Sequence, residues 1–454
     1  MRTLVHPCPG GFMFPLPISS RARTRLICAA MLLAYLPILD ARAADAAPLD
    51  RTTAPITLVQ VLQRAEAHHP LFASWRARER AAQARHLQAG LKPSPELGLT
   101  VENAFGTGAL SGYTGAETTL SFSQLIERGG LLDRRVDRAA AERDLLIGAG
   151  EIARLDLRAE VARRFVHVLS DQAQLGITHQ ATVLAQETLD EVTRRVEAAR
   201  APLAERSRSR VSLERARLEE EHAEHELLSS RRHLAAAIGS MQADFGPAEG
   251  DLMTLPPVAD FEVLLARLQA APDVLRFASA ARLRESELRL AQARRTAGLR
   301  LGAGLRRLEN SDDLGLVFSA SLPLFASSRE RGNLAEAEAH IEQIGPDREQ
   351  AMLLAQAQLY ELYQELNHAR LEVNTQRERV LPAVEEALEQ TRFAYERGRY
   401  SLLELRNAQI EWATQHRLLI QAAAGFHGNL IEIQRLTGAP VPSPGVARAE
   451  SSQP

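Results

Sequence analysis

The sequence contains very little cysteine, lysine and aromatic residue. Its two cysteines, Cys8 and Cys28, lie in the first 43 residues, and Lys92 is its single lysine. Cleavage after Ala43 would leave a chain without disulfide or thiol chemistry. Aromatic residues make up 5% of the 454 residues, while Ala, Leu, Glu and Arg dominate. This composition is typical of long helices and coiled coils and argues against several ordinary globular cores.

Other absences narrow the class of function. The formal net charge is −3, so no nucleic-acid partner is indicated. The sequence has no G-x-S-x-G, no H-E-x-x-H and no phosphate-binding glycine loop, so we predict neither an enzyme nor a cofactor. His222 and His225 share a helix face, but glutamates surround them. We interpret them as part of a solvated charged face, because a structural metal site needs four preorganised ligands.

The N-terminus has the pattern of an export signal. Three arginines precede the apolar stretch 26–39, and an A-x-A cleavage pattern ends at Ala43. We therefore predict a signal peptide over 1–43 and a flexible leader over 44–55, with an uncleaved anchor as the alternative. No later segment approaches 18 apolar residues, so no transmembrane helix is predicted. The Pro/Ser-rich tail, 440–454, is predicted to be disordered.

The sequence after the leader is duplicated. Glu205 precedes Gly239 by 34 residues and Glu404 precedes Gly438 by the same 34, so equivalent positions are 199 apart (404 − 205 and 438 − 239). A period this long indicates a duplicated half-protein and not a solenoid. We place the first repeat, the linker and the second repeat at 56–240, 241–257 and 258–439.

Each half contains two stretches in which apolar residues occupy every second position. Alternation bounded by turn residues predicts a β-hairpin. Strands of about 9 residues with one apolar face match transmembrane strands, although a hairpin packed on helices would show the same pattern. The strands are predicted over about 95–103, 116–124, 299–308 and 314–323. The side chains predicted to face lipid are Leu120, Phe122, Leu316 and Phe318, and those predicted to face a lumen are Thr119, Ser121, Val317 and Ser319.

A helix of unusual length is predicted after each hairpin. No proline occurs from Leu131 to Ala199, a span of roughly 100 Å as a helix. Apolar residues recur every seven positions in both halves, which is typical of a coiled-coil seam. Pro346 and Pro382 are expected to kink or interrupt the second long helix. The predicted seam consists of Val161, Val168, Leu175, Thr182, Leu189, Val196, Leu359, Leu366, Val373 and Val380.

Four strands cannot close a membrane barrel, since about eight is the usual minimum, and lipid does not tolerate an open sheet edge. Three chains would supply twelve strands and a matching ring of twelve helical columns, whereas two chains would give a barrel filled by side chains. Together with the repeat, the hairpins and the long helices, this predicts a fold that is mainly α with a small β part. Each duplicated half has the order helix–strand–strand–long helix–helix.

The order of elements and one turn pattern resemble the TolC-like family of outer-membrane efflux proteins over about residues 56–438. The turn pattern is Tyr395-x-x-Gly398-x-x-Ser401-x-x-Glu404. Four further motifs resemble the CzcC-like heavy-metal efflux branch, although Leu131-Leu132 replace residues that are typically basic there. These motifs are Pro95-Glu96-Leu97, Glu102-Asn103, Ser123-Gln124-x-x-Glu127-x-Gly129-Gly130 and Arg134-Arg135.

The resemblance implies the assembly and its partners. It implies a homotrimer with a 12-stranded β-barrel in outer-membrane lipid, continued by a helical barrel across the periplasm. A periplasmic adaptor (membrane fusion) protein and an inner-membrane pump of the RND type would complete the machine. The expected function is therefore the exit duct of a tripartite efflux system for heavy-metal cations or other toxic solutes. The alternative is a periplasmic coiled-coil adaptor or binding protein without a pore.

The resemblance also implies the site. In this family the turns between long antiparallel helices are periplasmic tips, and an acid six positions after the turn glycine lines the channel constriction. That position is Glu404; Asn407 stands at the site of a second acid, and Glu205 is the equivalent in the first copy. The alternative is a solvated charge at a helix N-terminus. The residues implied in tip and adaptor contacts are Arg397, Gly398, Arg399, Tyr400, Ser401, Arg200 and Pro202.

Overall fold

The computed structural model describes residues 54–440. The predicted signal peptide, the leader up to residue 53 and the tail from residue 441 lie outside the described residues. No helix in the described part is long and apolar enough to cross a membrane.

The elements of the first half are β1 (Ile56–Thr57), α1 (Leu58–His68), α2 (Pro70–Ala89), β2 (Glu96–Glu102), β3 (Glu117–Ile126), α3 (Leu131–Glu197) and α4 (Leu203–Ile238).

The second half repeats this order after a short linker strand. Its elements are β4 (Ala248–Glu249), α5 (Phe261–Gln269), α6 (Pro272–Arg294), β5 (Leu299–Leu308), β6 (Asp313–Ser321), α7 (Ala326–Arg329), α8 (Arg331–Thr375), α9 (Leu381–Glu396) and α10 (Leu402–Thr437). A single 3-10 turn, Gly108–Leu110, lies between β2 and β3, and a π-helical segment, Gln376–Val380, lies between α8 and α9.

The two hairpins form one antiparallel sheet in the order β2-β3-β5-β6. The register places Leu99, Leu120, Leu305 and Leu316 in one row across all four strands. On the other face, a Cβ added to Gly304 would lie 2.6 Å from the carbonyl oxygen of a neighbouring strand. This close approach requires glycine at position 304.

The helix α3 has 67 residues, and its buried stripe changes position along its length. Val161 and Val168 are fully buried, as the heptad pattern predicts. Further along, the buried positions are Thr178, Ala185, Thr188 and Val192. The predicted seam residues Leu175, Thr182, Leu189 and Val196 are half-buried. The seven-residue spacing therefore persists in Thr178, Ala185 and Val192, but the most buried positions lie three residues after the predicted ones.

The two prolines of the second long helix have different effects. α8 continues through Pro346, so this proline does not interrupt the helix. The residue is exposed, and water can bond the carbonyl group that loses its partner. Ahead of Pro382 the helix widens into the π segment, which inserts one residue into the seam. The seam therefore passes from Val373 to Leu381 and not to the predicted Val380, which is half-buried.

The linker between the halves is hydrogen-bonded to side chains of the long helices. Gln172 exchanges two hydrogen bonds with the backbone of Ala248, at 3.0 and 2.8 Å. Arg370 donates to the Pro256 carbonyl at 2.8 Å. His427 is buried, and its Nε2 lies 3.0 Å from the Leu252 carbonyl. Burial holds the pKa of His427 below its usual value. These contacts fix the helices that run on to the two tips.

Candidate channel surface and periplasmic tips

The two tips use the same backbone turn. At the first tip, Ala199 has φ 56° and the Arg200 amide donates to the Arg195 carbonyl at 2.7 Å. At the second tip, Gly398 has φ 70° and the following amide donates to the Ala394 carbonyl at 2.9 Å. Both turns are left-handed helix C-caps, which favour glycine. The first copy carries an alanine where this geometry favours glycine.

Glu404 caps the helix that follows the second turn. Its Oε2 accepts hydrogen bonds from the Ser401 amide at 2.6 Å and the Ser401 hydroxyl at 2.9 Å, and the Ser401 Oγ accepts from the Glu404 amide at 3.4 Å. These bonds form a capping box. Both hydrogen bonds to the carboxylate involve Oε2. The side chain is exposed, so its charge remains accessible beside the turn.

The other two predicted constriction residues differ from Glu404 and from each other. Glu205 occupies the first turn of α4 and is half-buried, and no side chain caps that helix at Pro202. Asn407 is exposed one turn beyond Glu404. The three residues therefore do not share one hydrogen-bond network in a single chain. A ring of carboxylates requires further copies of the chain.

A contact that the sequence did not predict joins the two tips. Arg195 donates from Nη1 to the Tyr395 carbonyl at 2.6 Å, and its guanidinium lies 4.6 Å from the centroid of the same tyrosine ring. Tyr395 is buried with Val192, Leu402 and Leu405. Burial, opposed in part by Arg195, raises the pKa of Tyr395 above its ordinary value. The heptad pattern gives no signal for this bond, because Arg195 is not a seam residue.

The predicted tip-contact residues form an exposed surface. Arg399, Tyr400 and Pro202 are exposed. Arg397 lies over the ring of Phe393 on its own helix, with 3.6 Å between the guanidinium carbon and the ring centroid. The surface therefore combines arginine charge with the exposed rings of Tyr400 and Phe393, a combination that suits contacts with another protein.

A cleft of about 480 Å³ lies beside the tips between α3 and the pair α9 and α10. Arg392 crosses part of it, with salt bridges to Glu187 at 3.1 Å and Glu396 at 3.5 Å. The other charged residues that line the cleft are Asp190, Glu191, Arg194, Glu385 and Glu389.

Across residues 54–440, no group of three or more His, Cys, Asp or Glu side chains has the geometry to hold a metal ion. His222 is exposed and 3.3 Å from Glu226.

The two faces of the sheet differ in chemistry. Four of the apolar side chains on one face, Leu120, Phe122, Leu316 and Phe318, are exposed, the last by 78%. Arg306 lies on the opposite face and bonds Glu117 at 2.7 Å, Glu102 at 3.2 Å and the Thr119 hydroxyl at 3.0 Å. The register keeps the alternation in all four strands, so the side chains predicted to face lipid share one face of the sheet and those predicted to face a lumen share the other.

An exposed apolar sheet face, joined to long helices that end in paired turns, defines the class of outer-membrane channel proteins. The sequence model of the family described as outer membrane efflux protein matches residues 61–240 and 264–439. The chain belongs to this family. It is an outer-membrane efflux channel protein with a long periplasmic helical portion, and it is not an enzyme.

The chain is similar to individual proteins in sequence and in structure. The chain is 26% identical over 347 residues to the cobalt-zinc-cadmium resistance protein CzcC of Cupriavidus metallidurans, covering 76% of this chain and 79% of the relative. Its structure is similar to a crystal structure of CusC, with a TM-score of 0.70, 18% identity and coverage of 86% and 94%. It is also similar to the outer membrane protein VceC of Vibrio cholerae, with a TM-score of 0.67, 19% identity and coverage of 84% and 96%.

Proposed function

We propose that three copies of this chain form the exit duct of a tripartite efflux system that exports heavy-metal cations. The observation that supports the trimer is the open four-stranded sheet. Its apolar face is exposed, and β2 and β6 each have one unpaired edge. In lipid, every backbone polar group needs a partner, so these edges must be paired by other chains.

Neighbouring copies can pair these edges without changing the sheet pattern. β2 and β6 run in opposite directions because each strand in the sheet is antiparallel to the next. β6 of one copy can therefore extend the antiparallel ladder along β2 of the next. Three copies give twelve strands, enough for an open lumen, whereas two copies give about eight, which side chains would fill.

Mass measurement of the detergent-solubilised protein tests the trimer. We expect three chains per particle, and a stable monomer would overturn the proposal.

Introduced cysteines can map the interface between chains, because cleavage of the signal peptide proposed over 1–43 would remove both natural cysteines. Thr100→Cys combined in turn with Gly315→Cys, Val317→Cys or Ser319→Cys should give disulfide-linked chains at one register. The matched control carries Thr100→Cys alone.

The metal cargo is proposed from the relative CzcC, whose name gives cobalt, zinc and cadmium resistance. Deletion of the gene should sensitise the host to these cations, and the cloned gene should restore resistance. Sensitisation to organic compounds without any change in metal resistance would contradict the metal proposal but would leave the channel assignment intact.

N-terminal sequencing of the mature protein tests cleavage after Ala43.

We also propose that the tips form the gate and the contact with a periplasmic adaptor, which in turn joins an RND-type inner-membrane pump. Glu404 is proposed to face the constriction with Asn407, and Glu205 is its counterpart in the first copy. The exposed residues Arg397, Gly398, Arg399, Tyr400, Ser401, Arg200 and Pro202 are proposed to contact the adaptor. Arg399→Glu with Arg200→Glu should prevent co-purification with the adaptor while leaving the trimer mass unchanged. Unchanged co-purification would contradict this contact.

A further inference from the structure

A basic cavity lies where the strands of the sheet pass into the helices. Its volume is about 540 Å³. The walls come from the end of α2, the segment that leads to β2, the start of α3 and the end of α6. One carboxylate, Glu142, faces five cationic side chains across this space. The cations are Arg85, Lys92, Arg135, Arg138 and Arg294.

The protein neutralises only part of this positive charge. Arg85 and Arg138 share Glu142, at 3.4 and 3.6 Å, and Arg138 also lies 3.5 Å from Glu287. Within the described range 54–440, Lys92 and Arg294 have no salt-bridge partner, and both are exposed. The cavity therefore offers two unpaired cations beside three arginines that are held in place by carboxylates.

The wall of the cavity is fixed by hydrogen bonds around the end of β3. Both Nη atoms of Arg135 donate to Glu127, at 2.5 and 2.7 Å. Arg135 also donates to the Leu91 carbonyl at 3.3 Å, and Gln124 donates to the Pro93 carbonyl at 2.7 Å. These bonds hold the segment that carries Lys92 against β3 and α3.

We propose that this cavity binds a small multivalent oxyanion, such as inorganic phosphate. Guanidinium groups and an ammonium group donate charge-assisted hydrogen bonds that fit the oxygens of a tetrahedral anion. The cavity lies within one chain, so phosphate binding does not depend on the proposed trimer.

Titration calorimetry with inorganic phosphate tests the site in the detergent-purified full-length protein at low ionic strength. Low salt is needed because the Debye length falls to about 10 Å at 0.1 M. The wild-type protein should bind phosphate saturably at one site per chain. Lys92→Gln with Arg294→Gln should weaken binding by about tenfold or more, since two charge-assisted bonds are lost.

The control variant separates a built site from diffuse charge. Arg128→Gln with Arg295→Gln removes the same two charges from exposed positions that do not line the cavity. Near wild-type binding by this control would support the proposal. Equal weakening in the two double variants, or no saturable binding by the wild type, would overturn it. Because the cavity belongs to one chain, a protein that proves monomeric but still binds phosphate would refute the trimer and not the anion site.

Discussion

Arg195 of the first tip holds the second tip through Tyr395. The guanidinium donates to the tyrosine carbonyl at 2.6 Å and lies 4.6 Å from the centroid of its ring. The same residue supplies its own carbonyl to the amide of Arg200 in the first turn. One arginine therefore stabilises both the turn that ends α3 and the contact between α3 and α9. We expect this residue to couple movement of one tip to movement of the other.

Replacement of this arginine should loosen the tips. Arg195→Gln removes the cation–π contact and weakens the bond to Tyr395, together worth about 1–3 kcal/mol. We expect a higher single-channel conductance in planar bilayers than for the wild type. Arg194→Gln is the matched control, because Arg194 is exposed and pairs with Glu191 on its own helix. Identical conductance of the Arg195 variant and the wild type would show that the contact does not restrain the gate.

The two turns provide a reciprocal test of backbone strain. Ala199 adopts φ 56° where glycine is favoured, so Ala199→Gly should raise the temperature of thermal denaturation. Gly398→Ala should lower it, because alanine would be placed at φ 70°. Each effect is expected to be about 1 kcal/mol. Scans must use one heating rate, since membrane oligomers unfold irreversibly. If both variants shift the denaturation temperature in the same direction, backbone strain at these two turns is not the cause.

The elements could be predicted from the sequence because their patterns are local. Thr57 and Gln60 form the capping box that begins α1, and the alternation around Leu120 and Leu316 fixes which side chains share a face of the sheet. Such patterns depend on residues a few positions apart, so one sequence contains them. The repeat offset then gives the order of elements in the second half.

The contacts between distant elements could not be predicted in this way. Arg195 and Tyr395 are 200 positions apart, and no periodicity connects an arginine with the carbonyl of so distant a residue. The π segment before Pro382 also escaped prediction, since a proline indicates a disturbance but not an inserted residue. The basic cavity is formed by three helices and the segment that leads to β2, so its charges are adjacent only after folding.

The buried histidine of α10 should make stability depend on pH. Burial lowers the pKa of His427 in the folded protein, with the Leu252 carbonyl and Asp251 opposing the shift. The unfolded chain therefore binds a proton more readily, and stability falls as pH decreases through about 6.5, the usual histidine value. The denaturation temperature should decrease from pH 7.5 to pH 5.5 by less in His427→Gln than in the wild type. An equal decrease in both proteins would assign the pH effect to other groups.

The two faces of β6 should respond differently to an added charge. Phe318→Arg places a cation on the exposed apolar face, at an expected cost of about 2–4 kcal/mol near the centre of the bilayer. Ser319→Arg places the same cation on the polar face, where the cost should be much smaller. Semi-native electrophoresis of membrane extracts should show loss of assembled protein for the first variant alone. Equal loss in both variants would contradict the proposed orientation towards lipid.

The charge and the capping role of Glu404 can be separated by two substitutions. Glu404→Gln keeps a side-chain oxygen that can accept from the Ser401 amide and hydroxyl, so the capping box should survive without the negative charge. Glu404→Ala removes both the charge and the cap, which should cost about 0.5–2 kcal/mol of helix stability. If three carboxylates form a ring at the constriction, both variants should lose cation preference and block by divalent cations in single-channel recordings. Only the alanine variant should also have a lower denaturation temperature. Wild-type selectivity and divalent block in the glutamine variant would show that Glu404 caps its helix and does not control the passage of ions.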